Sequence, residues 1–339
     1  DALHLLGVIA RDQGDYAVAI NLINKAIQVL PQEANFYNNL GISYRKSGDL
    51  KQAISSYETA VSLQPEHIQA LNNLGNLYTE QKMYRKAQQY FARALAADPL
   101  FVEAHFNLAN ALQTQAEYEE ALLCYQQALA LRPDYVEAMS NCGMVLYALE
   151  RENEALIYFE KAIAQQADFQ PAYMNLGYIA LAKGLAGEAL PFLQHANTLM
   201  PDHPDTLNFL SHAEKNLGYF DDAIAHAEQA YRLAPTSIAG LESAVRLALI
   251  AYLHNDRVTC ANWLTQASNL TQFDERPARV YWTYLGLLMS WWQRHPQDDA
   301  DNILYVLGDS HTLSLHGLAL DYLGEHHQGQ ALWVEGCKQ

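Results

Sequence analysis

Two sets of residues in this sequence have types and spacings that could do chemistry. The first is a row of amides: Asn39, Asn73, Asn107, Asn141 and Asn175 recur every 34 residues, with Asn38, Asn72, Asn76 and Asn110 beside them. A primary amide has both a donor and an acceptor, so a regular row can bond both polar groups of an extended peptide backbone whatever its side chains. The second is Ser310, in the run Val306-Leu307-Gly308-Asp309-Ser310-His311. A serine on the turn from a buried strand into a helix is exposed near backbone N–H groups, where it could act as a nucleophile beside an oxyanion site. Without a base it is an ordinary alcohol, and His311 and His316 lie too close to it in sequence to take that part. Asp309, Ser310 or Thr312 could equally be a helix cap, and both readings stay open.

The elements that position the amides follow from one period. Ala19, Ala53, Ala87, Ala121, Ala155, Ala189 and Ala223 form an unbroken column at a spacing of 34, and so do Ala26, Ala60, Ala94, Ala128, Ala162, Ala196 and Ala230. A small-residue column runs Gly7, Gly41, Gly75, Ala109, Gly143 and Gly177 and breaks at Ser211. Prolines at 31, 65, 99, 133, 201 and 235 break at Ala167. Each period reads as two helices. In the second, Tyr37, Leu40, Gly41 and Tyr44 mark one stripe, Ser47-Gly48-Asp49 breaks it, and Ala53, Tyr57, Ala60 and Val61 mark the next. Small residues let two helix backbones approach, and the neighbouring rings fill the space. One hairpin cannot bury its own stripe, so the hairpins are expected to stack into an all-α, right-handed superhelical solenoid.

On this reading Asn39 points away from its stripe, toward the open side of the first helix. Asparagine within a helix costs about 0.5 kcal/mol against alanine, with no packing return expected. Replacing Asn73, Asn107 and Asn141 together by alanine is therefore expected to leave the fold intact or slightly firmer. Leu5 and Phe209 stand where the amide would extend the row at its ends.

These columns resemble the tetratricopeptide repeat, over seven units in residues 1–237. The amide row is similar to that of the O-GlcNAc transferase superhelix and of armadillo-type import receptors, which implies a protein or extended-peptide partner held in a concave groove. A related tetratricopeptide mode clamps a partner's C-terminal carboxylate with Lys and Arg. Only Arg11, Arg45 and Lys46 could serve here, and Asn38 or Asn72 stands where that clamp has a lysine. Residues 238–296 lose the columns but stay helical, with Leu241, Val245, Ala248 and Tyr252 on one face, and read as degenerate capping helices. Trp282, Trp291 and Trp292 make the last of them apolar on several faces.

Residues 297–339 read as the start of an α/β piece: strand-like runs at 303–307 and 331–334 flank a helical stretch. The run through Ser310 looks like the first block of the GDSL or SGNH hydrolases, which implies a nucleophile there. His311 replaces the Leu of that motif, and the later blocks, including the Asp-x-x-His pair, are absent. The alternative function this leaves is a substrate-recruiting arm of an ester or acyl hydrolase whose catalytic domain is cut short.

Composition narrows the classes. Lys+Arg 21 against Asp+Glu 38 gives a formal charge of -17, which repels phosphate backbones and anionic lipid, so neither nucleic acid nor membrane is expected as a partner. Cys124, Cys142, Cys260 and Cys337 are scattered, with no pairing or metal-ligand spacing. No cofactor or metal is expected, and a reducing, cytoplasmic setting fits. Residue 1 already lies inside a repeat, so a preceding segment, with any targeting signal, is expected to have been removed. Oligomeric state is left open.

Overall fold

The structure, a computed structural model, describes residues 2–254 and 256–268, all but Tyr252, Arg257 and Ser268 with their side chains. Ser310, the strand-like runs at 303–307 and 331–334 and the three tryptophans of 282–292 lie outside the described residues. The chain divides into two compact units, Asp1–Ala167 and Asp168–Gln339. The break falls at Ala167, the one gap in the proline column.

Unit 1 holds five helical hairpins: α1 (Ala2–Asp12) with α2 (Tyr16–Val29), α3 (Ala34–Ser47) with α4 (Leu50–Leu63), α5 (Ile68–Glu80) with α6 (Tyr84–Ala97), α7 (Val102–Thr114) with α8 (Tyr118–Leu131), and α9 (Val136–Ala148) with α10 (Glu152–Gln165). Described residues of unit 2 form three more: α11 (Gln170–Ala182) with α12 (Ala186–Leu199), α13 (Pro204–Leu217) with α14 (Phe220–Leu233), and α15 (Ile238–Leu253) with α16 (Arg257–Ser268). No strand occurs among the described residues. Nor is any described helix long and apolar enough to cross a membrane.

Within unit 1 each second helix packs on the first helix of the next hairpin, and α1, α3, α5 and α7 also touch one to the next. Successive second helices approach each other less, so the first helices line the inner side of the stack. In unit 2, α11, α13 and α15 make the same contacts.

The close crossings lie where the small residues stand. A Cβ placed on Gly41 would come within 2.6 Å of two Tyr57 ring carbons, and one on Gly143 within 2.7 Å of the Phe159 ring. The same register pairs Gly7 with Ile23, Gly75 with Phe91 and Gly177 with Leu193. The column breaks at Ser211 because the residue opposite is small: Ala227 stands in the ring position, and the buried Ser211 hydroxyl donates to Ala223 O at 2.7 Å. All seven alanines of the column from Ala19 to Ala223 are fully buried. Beyond the last proline α15 and α16 still pair, with Leu241, Ala244 and Ala248 against Cys260, Leu264 and Ala267.

The first seven hairpin turns each hold one residue in the left-handed region. Gly48 takes it at φ 88°, but the equivalent residues in the next three hairpins are Lys82, Ala116 and Glu150, at φ 60°, 61° and 59°. A side chain there is strained, so hairpin packing overrides local preference at these turns.

Candidate functional site: the inner face of the first helices

The amides of unit 1 come together on the inner side of the stack, and they do not stand free. Asn73 Nδ2 donates to Asn38 Oδ1 at 3.0 Å, Asn107 Nδ2 to Asn72 Oδ1 at 3.0 Å, and Asn141 Nδ2 to Asn110 Oδ1 at 3.0 Å. In each case a first helix reaches back to the first helix before it. Asn39 does the same toward α1, accepting from Arg11 Nη1 at 3.1 Å while its Nδ2 lies 2.8 Å from His4 Nε2. An accepting Nε2 requires a neutral ring, in keeping with burial, which holds His4 below the usual imidazole range. The ring also stacks on Phe36.

These rungs correct the expectation of a purely solvent-facing row with no packing return. Asn38 and Asn72 are buried, at 6% and 8% exposure, and serve as acceptors inside the stack. Asn39, Asn73, Asn107 and Asn141 are half-buried, as are Asn76 and Asn110. A hydrogen bond between neutral groups contributes about 0.5–1.5 kcal/mol net, enough to offset the helix-propensity cost of each asparagine. The carbonyl oxygens of Asn73 and Asn107 have no protein partner among the described residues, so these two rungs keep an acceptor to spare, whereas the Asn141 side chain also bonds Tyr125. Asn175 stands on α11 in unit 2, half-buried, apart from the unit 1 row.

Sequence reasoning missed Tyr125. Its hydroxyl lies 2.5 Å from Asn110 Oδ1 and 2.7 Å from Gln113 Oε1, tying the ring column of the second helices to the amide row of the first. Burial pushes its phenol well above the ordinary range, so it stays protonated. The signal was available: among the rings seated on the small-residue column, Tyr57 and Tyr125 alone carry a hydroxyl. The basic residues weighed for a carboxylate clamp are partly engaged. Arg11 bonds Asp12 and Asn39, and Arg45 pairs with Glu80.

Unit 2 is built differently. Asn208, 2% exposed, continues the Asn38 and Asn72 column, but its Nδ2 donates to Glu242 Oε2 at 2.6 Å, and its Oδ1 accepts from Arg246 Nη1 at 2.6 Å and Ser243 Oγ at 3.2 Å. Arg246 also donates to Asn208 O at 2.9 Å. Nearby, His226 Nδ1 lies 2.8 Å from Glu214 Oε2; that hydrogen bond lifts the imidazole above its ordinary range. Among the described residues no group of three or more His, Cys, Asp and Glu gathers as metal ligands do. The thiols of Cys142 and Cys260 are pushed up by burial, to about 11 and about 12, and are inert.

Comparison with known proteins fits this architecture. Models of the tetratricopeptide repeat match residues 1–32, 32–99, 102–135 and 204–237. The chain is similar to the APC/C hetero-tetramer Cut9-Hcn1 structure with a TM-score of 0.61 and 20% identity, over 78% of this chain and 51% of that one. It is similar to PilW, a type IV pilus biogenesis factor, with a TM-score of 0.55 and 24% identity, over 61% and 96%. Pseudomonas aeruginosa pilF gives 0.53 and 21%, over 62% and 96%. At these identities the likeness is one of fold. Among curated proteins no match is found. Period, hairpin geometry and matched models agree that the repeats of this chain are tetratricopeptide repeats.

Proposed function

We propose that the chain is a protein-interaction scaffold whose unit 1 holds an extended peptide or protein segment along its amide row. The observation that carries this is the pinned half of each amide. Asn73 and Asn107 are fixed by one N–H to the preceding helix, and each keeps a carbonyl oxygen with no protein partner among the described residues. An amide oriented in this way is preorganised: it meets a backbone N–H without first losing side-chain freedom. Repetition at one register suits a chain of repeating backbone groups better than a compact ligand.

The test uses peptides selected from a random display library against the full chain. Changing Asn73 and Asn107 together to alanine should weaken their binding about tenfold or more, as expected for two hydrogen bonds of about 1 kcal/mol each. Because the rungs offset the propensity cost, thermal stability should move by about 1 kcal/mol or less. Unchanged affinity in the folded variant would remove the reading.

A further inference from the structure

The fold leaves one amide of the inner face unused. Asn73, Asn107, Asn110 and Asn141 each bond within unit 1, whereas the side chain of Asn76 has no hydrogen-bond partner among the described residues. The cause is legible in the register. At the equivalent position of the next hairpin, Asn110 accepts from Asn141 and meets the Tyr125 hydroxyl. Asn76 has Phe91 in place of Tyr125, so no hydroxyl reaches it. Asn107, the counterpart of Asn141, turns to Asn72 instead. Asn141 cannot do the same, because Phe106 stands where Asn72 would be. Packing does not ask for an amide at this position, since Ile42 and Met144 fill it in other hairpins. Asparagine within a helix also lowers its stability, and here no bond is returned for it.

The Asn76 amide is open to an incoming group. Among the described residues the buried polar atoms without a partner belong to Tyr57 and Asn197, so the donor and the acceptor of half-buried Asn76 both reach solvent. Asn76 stands one helical turn along α5 from Asn73, about 5–6 Å away. The row that holds a backbone runs in another direction, from helix to helix through Asn73 and Asn107. A group meeting Asn76 therefore lies beside the bound backbone, at the reach of a side chain. Filling both the N–H and the carbonyl of an amide takes a group with an acceptor and a donor of its own. A carboxylate brings acceptors alone, to a chain of formal charge -17, an ammonium brings donors alone, and a hydroxyl must do both from one atom. We infer that Asn76 is a specificity subsite for the carboxamide of a glutamine or asparagine side chain on the bound segment, the two amides pairing through two hydrogen bonds. This deepens the peptide-binding reading and rests on it, since it names which side chain an otherwise sequence-tolerant row selects.

The experiment titrates the full chain with end-blocked nonapeptides of Gly and Ser bearing one central Gln, Met or Glu. The Gln peptide should bind about fivefold or more tightly than the other two, as expected for two hydrogen bonds formed in competition with water. Asn76→Met separates a binding role from a structural one. It should abolish the preference for Gln and leave the thermal midpoint of the free chain unchanged or raised, because no bond within the fold is lost. Asn110→Met, which takes the acceptor from Asn141 and Tyr125, should lower the midpoint. Equal binding of the Gln and Met peptides, a Glu peptide that binds as tightly as Gln, or binding of none of the three overturns the subsite. So does an undiminished preference in Asn76→Met, or a midpoint lowered by that change. The amide row is judged separately by the Asn73 and Asn107 variant against the library peptides, so either idea can fail without the other.

Discussion

The two units solve the same packing problem with different polar chemistry. In unit 1 successive first helices are tied by neutral amide pairs at Asn73–Asn38, Asn107–Asn72 and Asn141–Asn110. In unit 2 the corresponding contact between α13 and α15 is a charged group around the buried Asn208, with buried Arg246 and half-buried Glu242. Neutral rungs are individually weak and leave acceptors to spare. The charged group holds its members more tightly, since a charge left without a partner in a low-dielectric interior is costly. The difference supports the proposed peptide binding by unit 1, and it gives unit 2 the more tightly committed interior.

The largest expected effect separates these roles. Arg246→Ala should destabilise unit 2 by about 3–5 kcal/mol, the usual result of removing one member of a buried charged group. Amides of unit 1 should keep their hydrogen-exchange protection in that variant. Loss of less than about 1 kcal/mol would mean that the Asn208 network is no more demanding than an amide rung.

Titration sharpens the same contrast at smaller magnitude. His226 is lifted above the ordinary 6.5, first by its hydrogen bond to Glu214 and then by the Glu214 and Asp222 charges. Its pair therefore contributes fully below pH 6.5 and is lost as pH rises through the raised value. In unit 1, His4 and His67 are lowered, mainly by burial, so their contribution is present above pH 6.5 and is lost as pH falls. Hydrogen exchange followed in each unit from pH 5 to 8 should show opposite trends, and parallel trends would contradict the assignment. His226→Gln should flatten the trend in unit 2 alone.

The smallest expected effects lie in the turns. Lys82→Gly, Ala116→Gly and Glu150→Gly should each stabilise unit 1 by about 0.5–1 kcal/mol, since glycine adopts positive φ without strain and its added unfolded-state freedom only partly cancels the gain. Urea unfolding reads this directly, and a uniform loss would show that the three turns are not strained.

These features differ in how far the sequence shows them. The hairpins are legible because packing enforces their columns: Ala53 and Ala87 have no room to vary, and Gly41 is seated under Tyr57. The pairing of α15 with α16 is harder to read, because Cys260 and Leu264 fill the interface without the glycine–ring signature. For the amides, a wheel drawn on a single helix places Asn73 away from its own stripe but cannot show that the preceding helix brings Asn38 within 3.0 Å. Tyr57 and Tyr125 look interchangeable in the column, and only the facing residues on the first helix of each hairpin, Ile42 and Arg45 against Asn110 and Gln113, leave one hydroxyl without a partner and the other bonded. Lys82 at a left-handed turn is hidden for the same reason, since neighbouring helices rather than local preference set that conformation.

The central claim is that unit 1 binds the backbone of an extended segment through Asn73 and Asn107. The most direct measurement compares two scans of one selected peptide. In the first each backbone N–H in turn is methylated; in the second each side chain in turn becomes alanine. N-methylation at the two residues whose N–H groups meet the Asn73 and Asn107 carbonyls is expected to weaken binding about fivefold or more each, roughly 1 kcal/mol. Most alanine substitutions should matter less. Binding indifferent to N-methylation and governed by side chains would contradict it.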